Sequence, residues 1–189
     1  MLNKIARQSN RRKLFFTSMV AFVLLIGILC VKYYRYAYIV TSHCMHGDFA
    51  EIAGYRVRLP YLWWKGDSQT RDKYLLLRAC PSNTFSRPEL EVNPSIPGDV
   101  MDTDQEELKS TQAMISGLNY NGIEGWSHSL VTLTSRPFTL YCIRGDETIF
   151  GTKVFSNLTC FAAKLPYWFN YSGPPAYEKE AESILSSLE

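Results

Sequence analysis

SLVTLTSRPFTLYCIRGDETIFGTKVFSNLTCFAAKLPYWFNY, residues 129–171, decides the fold. It is a succession of runs rich in β-branched and aromatic residues: SLVTLTS, FTLYCIRG, TIFGTKVFS and LTCFAAKLPYWFNY. Such residues fit a pleated, half-buried surface. Gly145-Asp146, Gly151 and Asn157 are turn-forming residues that punctuate the runs. Consecutive strands joined by turns predict an antiparallel meander. Cys142 and Cys160 sit in two β-like runs, FTLYCIRG and VFSNLTCFAA, separated by a turn-rich stretch, so antiparallel pairing predicts a disulfide between them. A loop of about 18 residues closed this way is worth roughly 3 kcal/mol in the chain-entropy model.

Helices flank the meander. Thr103 and Glu106 form the T-x-x-E capping box that starts DQEELKSTQAMISGL, residues 104–118. Leu108, Met114, Ile115 and Leu118 are its apolar face, and Gly117 is expected to help end it. After the meander, PPAYEKEAESILSSLE opens on two prolines. Tyr177, Ala181, Ile184, Leu185 and Leu188 make one stripe toward the sheet. Glu178, Lys179, Glu180 and Glu182 are expected on the opposite, solvated face.

Upstream, YRVRLP alternates Tyr55, Val57 and Leu59 with Arg56 and Arg58, the period of a half-buried strand, and Ala53-Gly54 is the turn before it. KYLLLRAC, 73–80, is another strand. The stretch 80–102 holds Pro81, Pro88, Pro94 and Pro97, and is expected to be irregular over most of its length.

GYRVRLPYLWW, a strand ending in proline followed closely by tryptophan, and the closing AESILSSL resemble the PsbP-like fold over most of residues 48–188. The likeness implies an α+β sandwich around an antiparallel sheet and a role as an assembly or binding module. The extracytoplasmic cysteines and the proline-rich segment depart from that pattern.

LFFTSMVAFVLLIGILCV, Leu14 to Val31, has no formal charge. As a helix it would be about 27 Å long, near the thickness of a bilayer core. Five bases precede it and only Lys32 and Arg35 closely follow, which favours a cytoplasmic N-terminus. No A-x-A step marks a cleaved signal peptide, and Leu29 precedes Cys30 where a lipoprotein needs a small residue. The expected order is a basic cytoplasmic tail (1–13), a transmembrane signal anchor (14–31), a juxtamembrane segment (32–47) and an extracytoplasmic, periplasmic or extracellular, α+β domain (48–189). The first 40 residues carry seven Lys or Arg and no acid. The remainder has 13 bases against all 18 acids, a net charge of −5. That balance argues against nucleic acid as a partner.

In an oxidising compartment Cys44, Cys80, Cys142 and Cys160 are available to pair. With Cys142 bound to Cys160, Cys44 is left for Cys80. HCMHG, 43–47, offers a competing metal reading through His43, Cys44 and His46. A closed zinc site wants four ligands, and the only other histidine is His128. GWSHS, 125–129, lacks the last glycine of a nucleophile elbow, and no histidine follows His128. RGD, 144–146, reads as a hairpin turn. Asn157-Leu158-Thr159 and Asn170-Tyr171-Ser172 are glycosylation triplets only in a eukaryotic host.

The expectation is therefore a non-catalytic binding or assembly module without a cofactor. Its partners are the bilayer through 14–31 and a protein at the membrane, met by an aromatic surface of Trp63, Trp64, Tyr167, Trp168 and Phe169. The alternative is a metal-dependent hydrolase built on His43, Cys44, His46 and His128.

Overall fold

The computed structural model describes residues 2–66, 73–79, 88–96, 98–120 and 122–189. The side chains of 2–15, 31, 32, 35, 42 and 46 lie outside that description. The chain divides into two compact units, Met1–Thr41 and Ser42–Glu189. Most of helix α1 (Leu2–His46) belongs to the first. Among the described residues no helix is long and apolar enough to cross a membrane. The described side chains of the apolar run extend from Phe16 to Cys30, about 22 Å of helix. Leu14, Phe15 and Val31, which complete the expected span, fall outside them.

The second unit is α+β. Strands β1 (Phe49–Ile52) and β2 (Tyr55–Arg58) form a hairpin. Its turn is Ala53-Gly54, with φ of 53° and 83°, the paired left-handed conformation whose twist suits a two-residue hairpin. The main sheet comprises β3 (Trp63–Gly66), β4 (Tyr74–Arg78), β5 (Glu89–Pro94), β6 (Trp126–Thr134), β7 (Thr139–Ile149), β8 (Thr152–Phe161) and β9 (Tyr167–Gly173). Its spatial order is β3-β4-β5-β9-β8-β7-β6, antiparallel at every step. Helix α2 (Asp104–Tyr120) packs against β6 and β7. A turn of 3-10 helix (Pro175–Tyr177) leads into α3 (Glu178–Ser186).

Three expectations are corrected. The proline-rich stretch contains β5, an interior strand between β4 and β9. Pro88 precedes β5 and Pro94 is its last residue, so neither removes a donor from its middle. Leu90 and Val92 alternate with Glu89 and Glu91 and are fully buried, a period-2 pattern that the prolines masked. Gly145-Asp146 is no turn: it lies inside β7, opposite Asn157 and Ser156 of β8, and Asn157 is likewise mid-strand. The hairpin instead turns at Phe150-Gly151, with φ of 51° and 78°. The RGD triplet is therefore a piece of extended strand. Both glycosylation triplets also lie in paired strands, where the Thr159 hydroxyl lies 2.9 Å from Asn157 Oδ1 and 3.0 Å from Asn170 Oδ1 and shares its one proton between them. Finally, α2 runs through Gly117 to Tyr120.

Other readings hold. Cys142 and Cys160 are direct cross-strand partners and form a disulfide. The capping box is made: Thr103 N donates to Glu106 Oε2 (3.2 Å) and Glu106 N to Thr103 Oγ1 (3.3 Å). Ala181, Ile184, Leu185 and Leu188 are buried in one core with Ile52, Val57, Trp63, Leu76, Leu90, Leu158, Phe169 and Tyr171.

Replacing both Cys142 and Cys160 with alanine is expected to cost about 3 kcal/mol in urea unfolding, the loop-closure entropy of the reduced chain. Phe150→Asn is expected to gain about 1 kcal/mol, because Phe150 is wholly exposed and occupies a left-handed turn position that asparagine tolerates. Urea midpoints of the two variants check both values.

Candidate functional site

Three places carry concentrated chemistry. The first is the face of α3. Glu178, Glu180 and Glu182 were expected in solvent, and the structure turns them toward the sheet. Glu178 is buried, accepts from Arg144 of β7 and takes the Ser156 hydroxyl at 2.6 Å. Glu180 accepts from the Trp63 indole (2.7 Å) and from Arg78 Nε (2.6 Å) and a second guanidinium nitrogen (2.9 Å). Glu182 accepts from Arg144. Asp146 pairs with Lys153 at 2.6 Å and receives the same Ser156 hydroxyl at 3.1 Å. Every carboxylate here faces a cation or a donor, so this network holds the helix to the sheet. The spacing 178, 182 on a helix facing an arginine was the available signal, and it was read as solvated charge because a sequence does not say which stripe a cation will meet.

The second place is HCMHG. His43 Nε2 faces the Trp63 carbonyl at 2.8 Å, and Nδ1 faces Asp48 Oδ1 at 2.9 Å. Both ring nitrogens are thus engaged by the protein itself. Cys44 is exposed and is not bound to either sheet cysteine. The side chain of His46, and the whole of Cys80, lie outside the described residues. Among the described residues no three His, Cys, Asp or Glu side chains are grouped to hold a metal.

The expected aromatic surface is divided by strand alternation. Trp63 and Phe169 are buried in the core, with Tyr167 packed against it. Trp64 and Trp168 lie on the opposite face, where Trp168 stacks on Phe161 (6.5 Å between centroids, 26°). The five side chains therefore do not make one surface.

The third place, which sequence reasoning missed, lies between α2 and β6. The stripe of α2 that faces the sheet begins polar, with Glu107 and Thr111 buried. It continues with Met114 and Leu118, whose side chains stay 37% and 44% exposed because the sheet falls away from them. The result is a cavity of about 600 Å³ lined by Met114, Leu118, Ile123, Trp126, His128 and Ile143, with Gly117 opening the helix side. Its floor is built on a glycine: Gly145 of β7 lies opposite His128. A Cβ there would come within 3.3 Å of His128 Cδ2 and 3.4 Å of Trp126 Cζ3. Its absence lets the Trp126 and His128 rings stack flat, 18° apart with centroids at 6.3 Å.

Asn119 holds this arrangement from the open side. Its amide donates to the His128 carbonyl and accepts from the His128 N–H, both at 3.2 Å, standing in for a further strand along the sheet edge. His128 Nδ1 is buried with no hydrogen-bond partner among the described residues, an arrangement that costs roughly 1–3 kcal/mol.

At the polar end of the same stripe, burial raises the pKa of Glu107 above its ordinary 4.5, with the neighbouring Thr111 hydroxyl opposing the shift. Tyr141 is raised by burial and then by the charges of Asp104 and Glu107.

No family model matches the sequence, and none of the curated proteins searched matches it. Among solved structures, the solution structure of cyanobacterial PsbP (CyanoP) from Synechocystis sp. PCC 6803 aligns with a TM-score of 0.47 and 14% identity, covering 75% of this chain and 90% of that one. A crystal structure of a protein from Bacteroides thetaiotaomicron VPI-5482 aligns with a TM-score of 0.45 and 14% identity, covering 74% of this chain. The chain spans less than half of that protein, 46% of its length. A weak resemblance to the PsbP-like fold is supported, and at this identity it concerns fold alone.

Two outcomes test the electrostatics. Glu178→Ala leaves Arg144 with Glu182 alone and the Ser156 hydroxyl with Asp146, and should cost about 1–2 kcal/mol in urea unfolding. For Glu107 the native pKa lies above the unfolded value, so the native state holds the proton more tightly. Stability should fall as pH rises from about 4.5 through the raised value, then level off. Glu107→Gln should remove that component and unfold at higher urea than the parent at neutral pH.

Proposed function

We propose that the protein is a membrane-tethered, non-catalytic binding or assembly module. Residues 14–31 of α1 would span the bilayer with the basic tail 1–13 in the cytoplasm, and residues 48–189 would stand in the periplasm or outside the cell. One observation carries the reading. Along Phe16–Cys30 every side chain of α1 is exposed, and ten large apolar residues, from Phe16 at 71% to Ile26 at 43%, point in all directions. A helix that is apolar all round is stable when something apolar surrounds it, and hydrocarbon is such a surrounding.

Two further features agree. The Cys142–Cys160 disulfide suits an oxidising compartment, where Cys44 and Cys80 would also be free to join. Several charged groups of the α+β unit are engaged in structural pairs: Glu178, Glu180 and Glu182 hold arginines, and His43 is committed to Asp48 and Trp63. The working part of such a module is a surface that binds.

The test is fractionation of cells expressing the full chain. The protein should stay in membranes washed with alkaline carbonate, and protease added from the extracytoplasmic side should remove the domain. Leu24→Lys with Ile26→Lys should release it to the soluble fraction. Release of the unmodified chain by carbonate would overturn the tether.

A further inference from the structure

We propose that the cavity between α2 and β6 is a binding site for a single aliphatic chain of a small amphiphile. The site is independent of the tether, since all of its residues belong to the unit Ser42–Glu189.

Shape comes first. At about 600 Å³ the cavity falls within the range of small-molecule sites. Among the described residues seven line it, whereas a stable protein–protein interface engages about 20–30 residues a side. A second copy or a partner domain would need far more surface than this cavity offers, and one slender ligand would not.

Charge comes second. Among the described residues, none that lines it is Lys, Arg, Asp or Glu, so an uncharged hydrocarbon is the complementary occupant. A charged group driven into this cavity would lose its hydration and find no counter-ion.

The walls then narrow the class. Met114, Leu118, Ile123 and Ile143 are aliphatic, and the unbranched Met114 adapts to the contour of a flexible chain. Trp126 and His128 supply a flat side, held flat by Gly145. Ile143 is nearly buried at the cavity's inner side, whereas Ile123 is 73% exposed. A chain entering past Ile123 would cover Met114 and Leu118, apolar side chains that α2 aims at the sheet and the sheet leaves uncovered. The ligand's polar head would remain at the mouth, in water.

The experiment uses the full chain in lipid nanodiscs and 8-bromo-1-octanol, an uncharged eight-carbon chain carrying a short-range quencher of tryptophan. Binding should quench a fraction of the fluorescence saturably, and Trp126→Phe should abolish that fraction. Leu118→Asp, at an exposed position that the fold does not need, should weaken binding at least tenfold, and Met114→Asp should do the same. Linear quenching without saturation, saturable quenching that survives Trp126→Phe, or unchanged affinity in both aspartate variants would overturn the proposal. So would light scattering that finds two copies bound through this face and one in Leu118→Asp, since a second copy would then be the occupant. Carbonate extraction of the same variants separates the two readings: they should stay in the membrane whether or not the chain binds.

Discussion

The clasp of α3 on the main sheet is the constraint on which the rest of the α+β unit depends. Its apolar stripe, Ala181, Ile184 and Leu185, enters the core, and its acidic residues reach four separate strands, β8 through the Ser156 hydroxyl on Glu178. Glu180 ties down β3 through the Trp63 indole and β4 through Arg78, while Glu178 and Glu182 both hold Arg144 of β7. These contacts span 22 to 117 residues of sequence, so they form only when the whole sheet is assembled. Hydrophobic burial supplies the larger energy. The ion pairs add direction, because a carboxylate bound to a guanidinium at hydrogen-bond distance allows little rotation of the helix about its own axis.

With α3 occupying one face of the sheet, α2 takes the other, and it covers only the β6–β7 end. Its inner stripe changes character along its length, from Glu107 and Thr111 to Met114 and Leu118. The polar half packs closely and the apolar half stands off. The cavity is therefore a product of packing. It is kept open by Gly145, by the flat Trp126–His128 pair and by Asn119, which binds the backbone of the edge strand and blocks it from pairing there with another strand. A site formed this way is rigid on its sheet side and adaptable on its helix side, which suits a ligand without fixed shape.

Much of this was legible in the chain. The T-x-x-E box starts α2 at the predicted residue, the 177–188 stripe marks the closing helix, and Cys142 and Cys160 meet across two strands. Each rests on a local rule: a cap, a 3.6-residue period, neighbouring antiparallel runs. The misreadings share one cause. Pro88 and Pro94 look like breakers unless β5 is known to lie between them. Gly145-Asp146 looks like a turn unless the glycine is known to lie beneath two aromatic rings. Glu178 and Glu182 look solvated unless Arg144 is known to face them. In every case the deciding partner is distant in sequence.

By itself, then, the sequence determined which segments are helix and strand wherever period and capping are local. It also determined that the unit is an antiparallel α+β fold, and that one early segment, 14–31, carries no formal charge. Only the tertiary structure decided strand order, the place of β5 in the interior of the sheet, the split of the aromatic residues between two faces, and the existence of a cavity. The physical reason is that backbone geometry and side-chain periodicity act over a few residues. Burial, ion pairing and voids are properties of surfaces brought together from opposite ends of the chain.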